Sequence, residues 1–323
     1  MRQHHYRTAI FASPGRVAFE ERPLVDPAPG QVRIRLQGCG VCGSNLPVWE
    51  GRPWFTYPLE PGKPGHEGWG IVDAVGEGVT TTQPGDRVAA LSQHAFAEYD
   101  YCSANEVAPL PTSVASLPFP GEALGCAMNV FRRADLQPHH HVAIVGLGFL
   151  GALLTQLAAR AGAHVYAISR RPFARRIARE MGATEVFGLD DPWTTIEEIK
   201  QRTDRAGCER VIEATGLQAP LDLATELTAE RGKLIIAGYH QDGLRQVNMQ
   251  LWNWRGLDVI NAHERDPRVY LQGMNEAAAA VAAGQLDPAP LYTHRFAFDE
   301  LPAALNQLRD RTDGFLKALV TYS

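Results

Sequence analysis

Residues 142–169 read VAIVGLGFLGALLTQLAARAGAHVYAIS. Two short apolar runs, Val142–Gly146 and His164–Ser169, flank a segment of a different period. In that segment Leu150, Leu153, Leu154, Leu157 and Ala158 recur at i, i+3, i+4, i+7 and i+8, which puts them on one face of a helix. Strand, helix and strand over this length predict a βαβ unit with parallel strands, because only a crossover of about a dozen or more residues returns the chain in the same direction.

The same grammar runs on in both directions. Apolar strands are expected at Glu185–Leu189, Arg210–Gly216, Lys233–Gly238 and Leu257–Ala262, separated by amphipathic stretches. That alternation predicts an α/β, doubly wound parallel sheet over residues 123–259. Residues 1–122 are turn-dense and β-rich, with strands expected in QVRIRLQG (Gln31–Gly38), WGIVDAVG (Trp69–Gly76) and PGDRVAAL (Pro84–Leu91). The final strand, in FLKALVTY, suits this first part better, so residues 260–323 are expected to return to it. The chain has 323 residues, 45% hydrophobic and 21% charged, enough to bury two full cores. A net charge of −5 gives no electrostatic case for nucleic acid or an anionic membrane. The opening apolar run, Ala9–Ala12, is too short for a signal peptide, and no stretch reaches membrane-span length. Five cysteines, an odd number, argue against a disulfide framework and for the cytoplasm.

The junction Gly146, Leu147, Gly148, Phe149, Leu150, Gly151 is a GxGxxG set between strand and helix. There glycines permit a tight turn, close approach of a pyrophosphate, and close packing of helix on strand. Glycines serving packing alone are the competing reading. The helix N-terminus adds free N–H groups and the positive end of its dipole. Ala214, Thr215 and Gly238, at the carboxyl ends of later strands, are expected to border the same cofactor. The second strand ends in Ser169, Arg170 and Arg171, where a carboxylate for a ribose 2′-hydroxyl would otherwise stand. A hydroxyl with two guanidiniums suits a 2′-phosphate, so NADP(H) is expected over NAD(H); a solvated basic turn is the alternative.

GCGVCGSNLPVW (Gly38–Trp49) places Cys39 and Cys42 three apart. That spacing is open to half a zinc ribbon, a redox dithiol, or one functional cysteine beside a bystander. Taken with GVCGSN (Gly40–Asn45), GHEGWG (Gly65–Gly70), GDRV (Gly85–Val88), EALGCAMNVFRR (Glu122–Arg133) and GLGFLG, the chain resembles zinc-dependent medium-chain dehydrogenases/reductases, in particular the sorbitol-type polyol dehydrogenases. The resemblance covers nearly the whole chain. It implies a GroES-like catalytic domain joined to a Rossmann domain, with one catalytic Zn²⁺ held by Cys42, His66 and Glu122. Glu67 then lies behind the metal and can enter its shell. Cys39 becomes a bystander on the entering strand, and Cys126 falls one helical turn beyond the ligand. The four-cysteine lobe of many relatives is missing, since only Cys102 occurs in that region, so no structural zinc is expected.

The resemblance further implies hydride transfer between NADP(H) and a secondary alcohol or ketone, a polyol or sugar-like molecule, in a homodimer or homotetramer. Ser44 matches the hydroxyl residue that takes the substrate proton. Two positions depart from the pattern: Pro47 stands where a relay histidine is common, and Asn45 where an aspartate is usual. His263, in NAHER, is a candidate replacement for the relay, with a hinge or interface histidine as the alternative. Trp49 and Trp54 are candidates for a pocket wall or for core, and His139–His141 for an exposed run that binds metal adventitiously. Two rivals remain: a zinc-free enone or quinone reductase of the same superfamily, and a non-catalytic nucleotide-binding protein.

Overall fold

The computed structural model describes residues 4–322 and divides into two compact units, residues 1–125 with 265–323, and residues 126–264. The expected boundaries fell at 122/123 and 259/260. The first division lies instead within a helix that starts in one unit and ends in the other. In chain order the first unit holds β1 (His5–Ser13), β2 (Arg16–Pro23), β3 (Gln31–Val41), α1 (Leu46–Glu50), β4 (Gly68–Val75), β5 (Arg87–Ala90), β6 (Tyr99–Ser103), β7 (Val107–Pro109) and the start of α2 (Gly121–Ala134). The second unit continues with β8 (His141–Val145), α3 (Phe149–Arg160), β9 (His164–Ile168), α4 (Pro172–Glu180), β10 (Glu185–Phe187), α5 (Pro192–Arg202), β11 (Cys208–Glu213), α6 (Gln218–Leu227), β12 (Thr228–Ile236), α7 (Met249–Arg255) and β13 (Asp258–Asn261). The chain then returns with α8 (Pro267–Ala282), β14 (His294–Ala297), α9 (Leu301–Asp310) and β15 (Ala318–Thr321).

In the second unit the strand order is β10-β9-β8-β11-β12-β13, every pair parallel. The order reverses between β8 and β11, and such a switch point is where a parallel sheet opens a crevice for a ligand. Ala143, Val145, Ile168, Val211 and Leu234 form the core with Leu221, Ala224 and Leu227 of α6. Gly151 is required by packing: a Cβ there would lie 1.9 Å from the carbonyl oxygen of Gly146.

In the first unit the sheet runs β14-β15-β3-β4-β5-β7, with β6 also paired to β3 and with β1-β2 as a separate hairpin. β3 extends to Val41, three residues beyond the sequence expectation. β15 supplies the reason, pairing antiparallel with Ala318 opposite Val41 and Thr321 opposite Gly38. A ladder partner delivered from the far end of the chain leaves no local periodicity to read. The core beneath gathers Phe11, Ile34, Leu36, Phe96, Leu305 and Val320. Trp49 belongs to it, buried edge-on to Phe11 and donating from Nε1 to Asn306 Oδ1 at 3.1 Å. Trp54 is exposed.

Candidate metal and cofactor sites

β3 delivers Cys42 at its carboxyl end, and β4 starts at Gly68, directly after His66 and Glu67. The two strands are antiparallel, with Cys39 opposite Gly68, so the end of one and the beginning of the other meet. The Gly40 N–H donates to the Glu67 carbonyl at 3.1 Å and closes the junction. As a result, donor atoms of Cys42, His66 and Glu67 all lie within 4.8 Å of one another. Glu122, in the first turn of α2, is not in that set, although its charge acts on His66.

The imidazole of His66 is oriented by its other nitrogen. Nδ1 lies 2.8 Å from the Pro64 carbonyl, which can only accept, so Nδ1 carries the proton and Nε2 faces the cluster. Ser44 Oγ lies 3.3 Å from Nε2. Burial opposes charge on His66, but a hydrogen bond to Cys42 and the charges of Cys42, Glu122 and Glu67 outweigh it, pushing its pKa up to about 10. Surroundings that hold a proton this firmly favour a cation. A thiol sulfur, an imidazole nitrogen and carboxylate oxygens in one cluster are the donor types that suit zinc.

Asn45 is fully buried and joins the two ligand-bearing segments. Its Oδ1 accepts from the Cys42 N–H at 2.9 Å, and its Nδ2 donates to the Pro64 carbonyl at 3.1 Å. That carbonyl thus receives both Asn45 and His66. An aspartate here would have no N–H for it, which gives the departure at this position a physical reason.

Sequence reasoning missed Lys317, the residue immediately before β15. Continuing the register of β15 on β3 sets it across from Cys42. Its Nζ lies 2.7 Å from Oε1 and 2.5 Å from Oε2 of Glu67, and both side chains are buried. Burial would lower the Lys317 pKa, but Glu67 chiefly, with Cys42 and Glu122, raises it, so the side chain is a cation. The available signal was a lysine heading an otherwise apolar strand. Cys39 is buried in the core, its thiol donating to the Gly40 carbonyl, with burial pushing its pKa well up. Cys126 is half-buried on α2, and Cys102 is buried on β6.

In the second unit, α3 starts at Phe149 with Gly148 as its N-cap and no acidic residue in its first turn. A Cβ on Gly148 would meet nothing within 4 Å, so open space lies over the loop of Gly146, Leu147, Gly148, Phe149, Leu150 and Gly151. Ser169 is buried at the end of β9 and accepts the Arg171 N–H at 3.2 Å, while Arg171 Nη2 reaches the Leu147 carbonyl at 3.4 Å. Arg170 is exposed, and Arg175 donates to the Ser169 carbonyl at 2.8 Å. The Arg171 guanidinium therefore reaches the glycine loop, with the Ser169 hydroxyl bonded to its backbone N–H.

Ala214, Thr215 and Gly238 cluster at the carboxyl ends of β11 and β12, organised by a residue the sequence reading passed over, Glu213. This fully buried carboxylate accepts from the N–H groups of Thr215 at 2.6 Å and Gly216 at 2.9 Å, and from the Thr215 hydroxyl. His240 Nε2 lies 2.9 Å from its other oxygen, and Arg245 donates to His240 Nδ1 at 3.0 Å. A single acid ending an apolar strand before a glycine turn was the signal. His263 follows β13 and stacks on Tyr239 with ring centroids 5.5 Å apart. His139, His141 and His164 form a stacked row at the opposite ends of β8 and β9, with His141 bonded to Tyr166.

The family model described as alcohol dehydrogenase GroES-like domain matches residues 28–128, and the one described as zinc-binding dehydrogenase matches residues 150–279. The chain belongs to the zinc-type medium-chain dehydrogenases/reductases of the alcohol dehydrogenase superfamily. It is an oxidoreductase of the alcohol dehydrogenase type. It is 28% identical to 5-exo-hydroxycamphor dehydrogenase of Pseudomonas putida, over 94% of this chain and 95% of that one. It is 26% identical to sorbitol dehydrogenase of Gallus gallus, over 88% of each. A Sinorhizobium meliloti protein solved bound to NADP shares the fold with a TM-score of 0.86 and 24% identity, covering 99% of this chain and 100% of that one.

Asn45→Ala removes both bonds that join the ligand segments. It leaves the Cys42 N–H and the Pro64 carbonyl each short of a partner, a cost of about 1–3 kcal/mol. The variant is expected to unfold at lower denaturant and to hold metal about ten- to a hundredfold less tightly. Chelator competition beside equilibrium unfolding checks this, and unchanged retention would show that Asn45 plays no part in holding the ligands.

Proposed function

We propose that this superfamily member is a zinc-dependent, NADP-preferring oxidoreductase that transfers a hydride between the cofactor and a secondary alcohol or ketone, a polyol or sugar-like molecule. The clustering of Cys42, His66 and Glu67 donors, with Ser44 Oγ 3.3 Å from His66, carries this reading. Cys42, His66 and Glu122 are the proposed ligands, with Glu67 behind them. Zinc held there supplies Lewis acidity toward the substrate oxygen. The names of the relatives, for sorbitol and hydroxycamphor, support the substrate class.

Ser44 would accept a hydrogen bond from the substrate hydroxyl and give up its own proton in turn, its Oγ standing 3.3 Å from His66 Nε2. Pro47, buried in α1, has no side-chain donor or acceptor to carry that proton on. Release to water is therefore the weak step, with His263 as the reserve base. A zinc-free enone reductase would not need a thiol, imidazole and carboxylate cluster, and a non-catalytic protein would not need Ser44 beside it.

A homodimer or homotetramer is proposed from the open edge of the parallel sheet. β13 is largely exposed there, and Trp254 on the preceding helix is 86% exposed. Unpaired strand edges and apolar surface invite a partner strand. A monomer by light scattering would reject it. Five free cysteines support the cytoplasm, and among the described residues no helix is long and apolar enough to cross a membrane. Fractionation of the native cell checks the compartment, and a membrane or exported pool would reject it.

The purified protein is expected to carry one zinc per chain once loosely held metal at His139–His141 is washed away, and to consume NADPH with ketoses or inososes. Elemental analysis and a ketone panel test both, and a protein without zinc, or with two, rejects the assignment.

Replacing Arg170 and Arg171 together by alanine should weaken NADP(H) while sparing NAD(H). Losing a charge-assisted contact to phosphate costs about 1.5–3 kcal/mol, roughly ten- to a hundredfold in affinity. Equal loss for both cofactors in titration calorimetry would assign the arginines to structure.

Alcohol oxidation should be slow near neutral pH and rise with alkalinity, as hydroxide comes to take the proton Pro47 cannot pass on, while ketone reduction stays comparatively fast. Ser44→Ala should slow both directions, and Pro47→His should raise oxidation at neutral pH. A flat oxidation profile together with no effect of Pro47→His would point to another base, and His263→Ala would identify it.

A further inference from the structure

Two carboxylates, Glu67 and Glu122, compete for one place beside Cys42 and His66, and Glu67 is the nearer. One of its oxygens lies within 4.8 Å of the other two donors, whereas Glu122 is outside that set. Glu67 is nevertheless claimed elsewhere. Lys317 Nζ donates to Oε1 at 2.7 Å and pairs with Oε2 at 2.5 Å in charge only, Oε2 having no hydrogen-bond partner among the described residues, and both side chains are buried. The carboxylate is packed into the space over Gly40, where a Cβ would lie 1.7 Å from Oε2.

We infer that Lys317 is a positioning residue that decides which carboxylate completes the metal site, a conclusion that rests on the metal reading proposed above. The charges balance in one way. A divalent cation is offset by the Cys42 thiolate and the Glu122 carboxylate, leaving Glu67 and Lys317 to offset each other. A buried carboxylate must be compensated by something. With Lys317 in place it needs no metal; without Lys317 the nearest uncompensated cation is the metal itself. Lys317 thereby keeps Glu67 out of the ligand set and preserves an open position for substrate, at the cost of burying an ion pair that is itself weak evidence of stability. One oxygen of Glu67 already lies near the other donors, so the side chain is placed to change partners.

Zinc release to a chelator from the full-length protein tests this directly. Glu122→Gln should release zinc at least about tenfold faster than the wild type. Adding Lys317→Met should return the rate close to wild type, because Glu67 is freed to replace the lost ligand, whereas adding Lys317→Arg should not. Glu67→Gln alone should keep its zinc. The cobalt-loaded proteins give a second readout: the visible bands lost with Glu122→Gln should reappear with Glu122→Gln/Lys317→Met. A folded double variant that loses zinc as fast as Glu122→Gln overturns the inference, and so does zinc loss from Glu67→Gln. If Lys317→Met variants do not fold, the Glu67→Gln measurement decides alone. A wild-type protein that binds no zinc would instead reject the metal reading, so the two failures are distinguishable.

Discussion

The antiparallel register of β3 on β4 is the constraint from which the candidate metal site follows. With Cys39 opposite Gly68, the chain leaves β3 just before Cys42 and enters β4 just after His66 and Glu67, so a thiol, an imidazole and a carboxylate converge at the joined ends of the two strands. A slip of one residue would turn each side chain to the opposite face of the sheet. The donors flank rigid strand ends, and short tethers to a sheet limit how far they can drift apart.

Around that register nearly every polar group has a partner among the described residues, Oε2 of Glu67 being the exception. The Pro64 carbonyl takes both Asn45 and His66, Asn45 takes the Cys42 N–H, and Lys317 donates to Oε1 of Glu67, while Oε2 is left to the ion pair alone. Buried polar groups are tolerated when each has a partner, and a partly satisfied network costs more than an apolar one. Asn45 shows how this bears on reading a family pattern. The amide looks like a lost acid when set beside the usual aspartate, yet the acceptor it serves is a carbonyl, which only an N–H can satisfy.

The second unit organises its own ligand loops by a similar device. Glu213 fixes two consecutive N–H groups after β11 and is backed by His240 and Arg245, so the carboxyl ends of β11 and β12 are held by a buried acid. On the other side of the switch point, α3 presents a first turn free of acidic residues and an open glycine loop. A helix N-terminus without acidic residues and the Arg171 guanidinium at that loop give an electrostatic setting that favours an anion.

What the sequence determined by itself is the part governed by short range. The leucine spacing after Gly146 and the apolar runs around it specify the parallel βαβ unit, because helix and strand periods are written within a dozen residues. Cys42, His66, Glu67 and Glu122 are marked as candidate ligands by the resemblance to zinc-dependent dehydrogenases, not by a local period. The tertiary structure alone decided how those groups divide the work. Lys317 lies 250 residues from Glu67, and only the pairing of β15 with β3 brings it there. Trp49 likewise took its place in the core because Asn306, 257 residues away, accepts its N–H. Contacts of that range depend on where strands close a sheet, and no local pattern encodes which buried charge will meet its partner.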